Sequence, residues 1–272
     1  MSTQLFIYES AVPVSNARHG EWSVEVGADY SFSKGVNSVP LMAVEFPHAA
    51  AEYAIVFSGT AEAFIPAVIL GMRGNENLYL AGQGGWQAKY IPAFVRRYPF
   101  VFSSSQDGKT FTLCIDEAFP GFNQKGRGQR LFDGDKKPTA YVSNVLKFLE
   151  QYQVEFRRTQ AFCGKLKELA LLEPMRAQAN LKSGERLSLT GFMAVSREKL
   201  KALPAEKLAE LAKTDELELL YLHLHSMRNF AAMVERLGGK QASEPAAPPI
   251  APEPAPAGDK PSEGKQAARA RK

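Results

Sequence analysis

Cysteine is almost missing from this 272-residue chain: Cys114 and Cys163 are the only two, and no Cys-x-x-Cys occurs. That excludes a disulfide framework and a cysteine-based zinc cage. Cys114 lies in the apolar run Phe-Thr-Leu-Cys-Ile and reads as a reduced core residue. Long hydrophobic runs are missing too. The longest, Phe64 to Leu70, is interrupted by Pro66 and is far too short to span a bilayer. The first ten residues have neither a basic start nor an apolar segment, so no secretory signal is expected and the chain reads as soluble and cytoplasmic. Charge of one sign is scarce: 33 Lys+Arg against 29 Asp+Glu leave +4. So weak a field gives no reason to expect a nucleic-acid partner. The phosphate-loop, nucleophile-elbow, His-Glu-x-x-His and EF-hand signatures are all absent, and no cofactor class is indicated. Ala81-Gly-Gln-Gly-Gly85 has two glycines of a dinucleotide turn but not the third, and reads as a plain turn.

What is present is a normal core: 45% hydrophobic and 10% aromatic residues. It is unevenly spread. Residues 241–272 hold 7 of the 17 prolines and no aromatic, which predicts a disordered Pro/Ala-rich tail over 239–272 behind a folded unit over 1–238. The folded part divides again. Residues 1–115 are rich in short β-branched and aromatic runs: Tyr53–Phe57, Phe64–Leu70, Asn77–Leu80, and a hairpin of Phe100–Phe102 with Thr110–Ile115 around Ser105-Gln-Asp-Gly108. With no regular helix between them, antiparallel pairing is expected. Tyr90 to Tyr98, bounded by Pro92 and Pro99, reads as a two-turn helix. Residues 116–137 read as a surface loop.

After Pro138 the hydrophobic period lengthens. Val142, Val145, Leu146 and Leu149 mark an amphipathic helix, and Phe156, Phe162, Leu166 and Leu169 continue it towards Pro174. Leu187 to Val195 alternates like a strand. Ser196 then caps a short helix, Pro204 opens another, and Thr214 caps a long final helix seamed by Leu217, Leu220, Leu224, Met227 and Val234 and stopped at Gly238-Gly239. The expected class is α+β: antiparallel strands in the N-terminal half packed with mostly helical residues 138–238.

Few polar residues stand out. His223 and His225 could share a metal ion from one side of a strand, but on a helix they diverge by about 200°, which makes one packed and one surface histidine the default. Arg96-Arg97-Tyr98 is the strongest polar feature. Adjacent arginines face different sides of a helix, so one can pair inside the fold while the other meets an anion. Trp86 and Tyr90, spaced i and i+4, would supply an aromatic wall beside them. Asp116 and Glu117, at the end of an apolar strand, are candidate acid–base carboxylates, with His19 or His48 as partner. Turn and ion-pair roles are the ordinary alternative for both.

The string Tyr90-Ile-Pro-Ala-Phe-Val-Arg-Arg-Tyr-Pro-Phe100 closely resembles the hallmark of the SapC family. In the same order as in that family stand Ala11-Val-Pro-Val-Ser15 with His19, Val39-Pro-Leu41, Glu45-Phe46, Leu189-Thr-Gly-Phe192, Lys199-Leu-Lys-Ala-Leu203 and His223-Leu-His-Ser226. The similarity runs over residues 5 to 237. The family is named for a bacterial surface-layer protein locus, where its members accompany a secretion apparatus. Relatives are also encoded beside TonB-dependent receptors and flavin-dependent halogenase-like proteins. The resemblance therefore implies a role linked to cell-surface protein secretion or nutrient uptake, with a protein or peptide partner from such a system. It implies no reaction and no catalytic residues.

Three expectations follow. The first is a non-enzymatic accessory protein that binds a peptide, a protein or a small anionic ligand through Trp86, Tyr90, Arg96, Arg97 and Tyr98, with His223 or His225 joining from the last helix. The second is an enzyme for a peptide or small metabolite using His19 or His48 with Asp116 or Glu117. The third is a structural subunit with a large exposed apolar patch.

Overall fold

A computed structural model describes residues 7–181 and 183–243 of the chain. The expected Pro/Ala-rich tail lies, from residue 244 on, outside the described residues. In chain order come β1 (Ala11–Pro13), α1 (Asn16–His19), β2 (Ser23–Val24), β3 (Ser38–Pro40), α2 (Phe46–Ala49), β4 (Ile55–Gly59) and β5 (Phe64–Ile69). These are followed by α3 (Ala93–Arg96), β6 (Phe100–Ser104), β7 (Phe111–Asp116), β8 (Phe122–Asn123) and β9 (Gln129–Arg130). The remainder is α4 (Ala140–Glu168), β10 (Leu172–Asn180), β11 (Arg186–Val195), α5 (Arg197–Lys201), α6 (Ala205–Lys213), α7 (Glu216–Ser226) and α8 (Asn229–Ser243).

The strands form three antiparallel sheets, ordered β10-β11-β4-β5-β3, β1-β7-β6 and β8-β2-β9. Ile55, Val56 and Phe57 of β4 are all buried, because β4 sits between β11 and β5 and both of its faces are covered. That is why this strand reads as a continuous apolar run instead of an alternating one. The β6–β7 hairpin pairs Phe100 with Ile115 and turns at the expected Ser105–Gly108 segment, where Gly108 N–H donates to Ser105 O at 2.9 Å.

The 29-residue α4 organises the packing. At 1.5 Å per residue it is about 43 Å long, enough to serve two cores. Its C-terminal half gives Phe162, Cys163 and Leu166 to the large core around the five-stranded sheet, together with Leu220 of α7 and Met233 and Leu237 of α8. Its N-terminal half gives Val142 and Leu149 to a second core with Val24, Phe100, Ile115, Leu131 and Phe132. Tyr152, between the two, packs with Met42 and Ala93. Thr139 caps this helix, its Oγ1 accepting from Val142 N and donating to Arg130 O at 2.7 Å.

Several sequence expectations need correction. The helix expected over Tyr90–Tyr98 is the single turn α3, with Pro92 as its N-cap. Residues before it are not helical; there the Glu52 carboxylate accepts from the backbone N–H groups of Lys89 (2.9 Å) and Tyr90 (3.0 Å). Asn77–Leu80 joins no ladder and forms one isolated bridge, Leu80 with Trp86. Residues 116–137 are more than a surface loop: β8 and β9 flank β2 there, and Leu131 and Phe132 fill the second core. The helical pattern towards Pro174 ends at Glu168, and Pro174 lies inside β10, an edge strand where a missing N–H is tolerated. The long final helix is two helices. Thr214 closes α6, donating to Glu210 O, and the break between α7 and α8 is held by Ser226 and Asn229. Asn229 Nδ2 donates to Ala50 O (2.9 Å) and Tyr53 O (2.8 Å), while Ser226 Oγ accepts from Ile55 N (3.0 Å). Gly238-Gly239 does not stop α8, which runs to Ser243.

Candidate functional site

Arg96 and Arg97 are neighbours on one helical turn, where successive side chains diverge by about 100°, and they part company. Arg97 is 3% exposed. Its guanidinium lies over the rings of Phe94 (4.3 Å), Tyr152 (4.9 Å) and Tyr8 (5.7 Å). Arg96 faces solvent. Its Nε donates to Ile91 O at 3.0 Å, which aims the guanidinium, and the group lies 5.4 Å from the Phe148 ring and 5.8 Å from Tyr90.

Arg96 lines a cavity of about 320 Å3. Three segments and one ring enclose it: residues 26–32 after β2, residues 95–98 with Phe100, the first turns of α4 through Tyr141, Asn144, Val145 and Phe148, and Phe119. Val95, Arg97 and Phe100 form its buried side; Val26, Asp29, Arg96 and Asn144 are exposed. The segments are tied by rings. Phe32 stacks on Tyr98 with centroids 4.0 Å apart, and Phe119 meets Tyr98 edge-on at 5.4 Å. Burial and the neighbouring Asp116 carboxylate hold the Tyr98 phenol well above its usual titration range, and burial pushes Tyr141 up to about 12. Both phenols therefore keep their protons.

The lining has one exposed carboxylate, Asp29. The Ser31 hydroxyl and the Ser31 backbone N–H (2.8 Å to Oδ1) hold its carboxyl below the usual range, so it is ionised. Behind it lies the glycine-rich turn, closed by Ala81 N to Gly85 O (2.8 Å) and Gly84 N to Ala81 O (2.9 Å). Gly84 has φ +79°, and a Cβ there would lie 2.0 Å from Asp29 Oδ1. The missing side chain of Gly84 leaves room for that carboxylate.

Of the residues expected from sequence, Arg96, Arg97 and Tyr98 line this cavity; Trp86, Tyr90 and His223 do not. Trp86 and Tyr90 form no i, i+4 wall, since that stretch is not helical. Trp86 instead donates from Nε1 to the Tyr53 hydroxyl (2.7 Å) and packs edge-on against the cavity residue Tyr30 at 5.7 Å. Tyr90 donates to Glu45 Oε1 (2.7 Å), a buried carboxylate that also accepts from Ala93 N (2.7 Å) and Met42 N (2.8 Å). His223 is fully buried in the large core. Its Nδ1 donates to Ile55 O (2.9 Å), its Nε2 accepts from Val195 N (3.0 Å), and burial lowers its pKa to about 4. His225, two residues on, is exposed, so the pair divides as a helix demands.

The acid–base candidates are equally specific. His19 reaches Glu117, Nε2 to Oε1 at 2.9 Å, and its Nδ1 accepts from Ser15 N (3.1 Å), so both ring nitrogens are engaged in a ring with no exposed surface. Arg18 bonds the other Glu117 oxygen and lowers that carboxyl's pKa. Asp116 accepts from Glu9 N (2.8 Å), Ser10 N (3.0 Å) and Ala118 N (3.2 Å) and is fully buried. His48 is exposed and stacks on Tyr90 at 5.3 Å, apart from these carboxylates in the bonding pattern. Among the described residues no three His, Cys, Asp or Glu side chains converge as metal ligands. Sequence reasoning passed over Asp29, Tyr30, Phe32, Asn144 and Phe148. Tyr30-Ser-Phe32 beside Asp29 is a visible aromatic cluster, but nothing local says that it meets Arg96.

A protein-family model described as SapC matches residues 14–233. No curated protein and no solved structure matches the chain.

Proposed function

The chain belongs to the SapC family, and on that footing we propose that it is a binding protein whose site is the aromatic cleft at Arg96. The ligand is a small molecule with an apolar, ring-bearing body and an anionic group. The observation that carries this reading is the exposed, aimed Arg96 guanidinium on the lining of a cavity walled by aromatic rings. At about 320 Å3 the cavity is near the low end of the range of roughly 300–1,000 Å3 typical of small-molecule sites. That size suits a small solute better than a folded partner, and so favours the link to nutrient uptake over the handling of secreted surface-layer protein. The acid–base alternative draws on the His19–Glu117 contact. With both imidazole nitrogens engaged and no exposed ring surface, we read that contact as a structural tie.

The test is a ligand-observed NMR screen of small ring-bearing carboxylates against the wild type and Arg96→Gln. Binders that the variant no longer holds support the reading. A screen without binders, or binders that Arg96→Gln holds equally well, overturns it.

A further inference from the structure

A cleft built for a simple anion has no use for a carboxylate, yet Asp29 lines this one. Its placement is supported from three sides. Ser31 N holds Oδ1 at 2.8 Å, Gly84 O accepts from Tyr30 N at 2.8 Å, and the missing Cβ of Gly84 leaves the space that Oδ1 fills. The loop carrying Asp29 is locked to the segment carrying Arg96: Phe32 stacks on Tyr98 at 4.0 Å. The mouth therefore presents one fixed anion and one fixed cation beside a ring-lined interior.

Resting on the reading of the cleft as a small-ligand site, we propose that its ligand is dipolar: a free amino acid with an aromatic or bulky apolar side chain. Its carboxylate pairs with Arg96, its ammonium group with Asp29, and its side chain enters among Tyr98, Phe119 and Phe148. A peptide C-terminus offers the carboxylate without the ammonium group, and a simple aromatic acid does the same. Both leave Asp29 facing a ligand that gives it nothing, and both bring a negative charge towards it.

The experiment is calorimetric titration of the full chain with four probes: L-phenylalanine, 3-phenylpropanoate, 2-phenylethylamine and N-acetyl-L-phenylalanine. L-phenylalanine should bind about tenfold or more tightly than each of the others. Asp29→Asn should erase its advantage over 3-phenylpropanoate, and Arg96→Gln its advantage over 2-phenylethylamine. Gly84→Ala, which crowds Oδ1 while keeping the carboxylate, should also erase the first advantage, with thermal unfolding checking that the variant folds. If 3-phenylpropanoate or the N-acetyl compound binds as tightly as L-phenylalanine in an Arg96-dependent way, the dipolar ligand is wrong and the anion cleft stands. If no probe binds in an Arg96-dependent way, both fall.

Discussion

Arg96 and Arg97 divide the molecule into two polar regions with opposite logic. On the buried side of the fold, Arg97 lies among aromatic rings and several interior charged or titratable groups are committed to the backbone. Asp116 anchors the backbone of Glu9 and Ser10, Glu45 anchors that of Ala93, and His223 joins Ile55 to Val195. These bonds link segments far apart in sequence. Around Arg96 the groups are aimed and exposed: its Nε is held by Ile91 O, and Asp29 is held by Ser31. Residue type is thus a poor guide to chemistry in this protein. The histidines and carboxylates that look catalytic in sequence tie the chain together, because a buried polar group must be satisfied or it costs free energy. Binding capacity remains where charges meet solvent beside exposed rings.

The largest effect is expected where an interior tie is cut. Asp116→Ala leaves three backbone N–H groups without their acceptor and should lower stability by about 3–5 kcal/mol in urea unfolding. A loss under about 1 kcal/mol would mean that Asp116 is not a tie. His223 gives a pH test of similar size. Its pKa of about 4 in the fold lies below the usual 6.5, so the unfolded chain binds the proton first as pH falls. Stability from this group should be constant above about pH 6.5, fall by up to about 3 kcal/mol between pH 6.5 and 4, and flatten below. His223→Gln should remove that part of the slope, as read from unfolding midpoints across the window. Arg97→Ala should cost roughly 2–4 kcal/mol, since it takes a buried side chain from three aromatic rings. The smallest effect is expected at the cap: Thr139→Ala should cost about 1 kcal/mol and leave binding alone.

Much of the fold could be read from the chain. The continuous run Tyr53–Phe57, the Ser105–Gly108 turn and the period of α4 each express a local rule, and the structure follows them. The misses share one cause, which is a distant partner overriding a local preference. Glu52 takes the backbone N–H groups of Lys89 and Tyr90 before α3, and Asn229 divides the last helical stretch by reaching back to Ala50 and Tyr53. The opposed directions of Arg96 and Arg97 follow from helical geometry alone and were visible in sequence. Asp29 as their cavity neighbour was not, because the stack of Phe32 on Tyr98 that joins the two segments has no local signature. Trp86 and Tyr90 show the converse: the spacing suggested a wall, and without a helix there is none.

The two arginines should behave differently. Arg96→Gln and Arg97→Lys should each be taken through urea unfolding and through titration with a ring-bearing carboxylate that the wild type binds. Arg96→Gln should change stability by no more than about 0.5 kcal/mol and weaken binding about tenfold or more, while Arg97→Lys should lose stability. An Arg96→Gln protein that binds like the wild type, or that unfolds like the Arg97 variant, would contradict that difference.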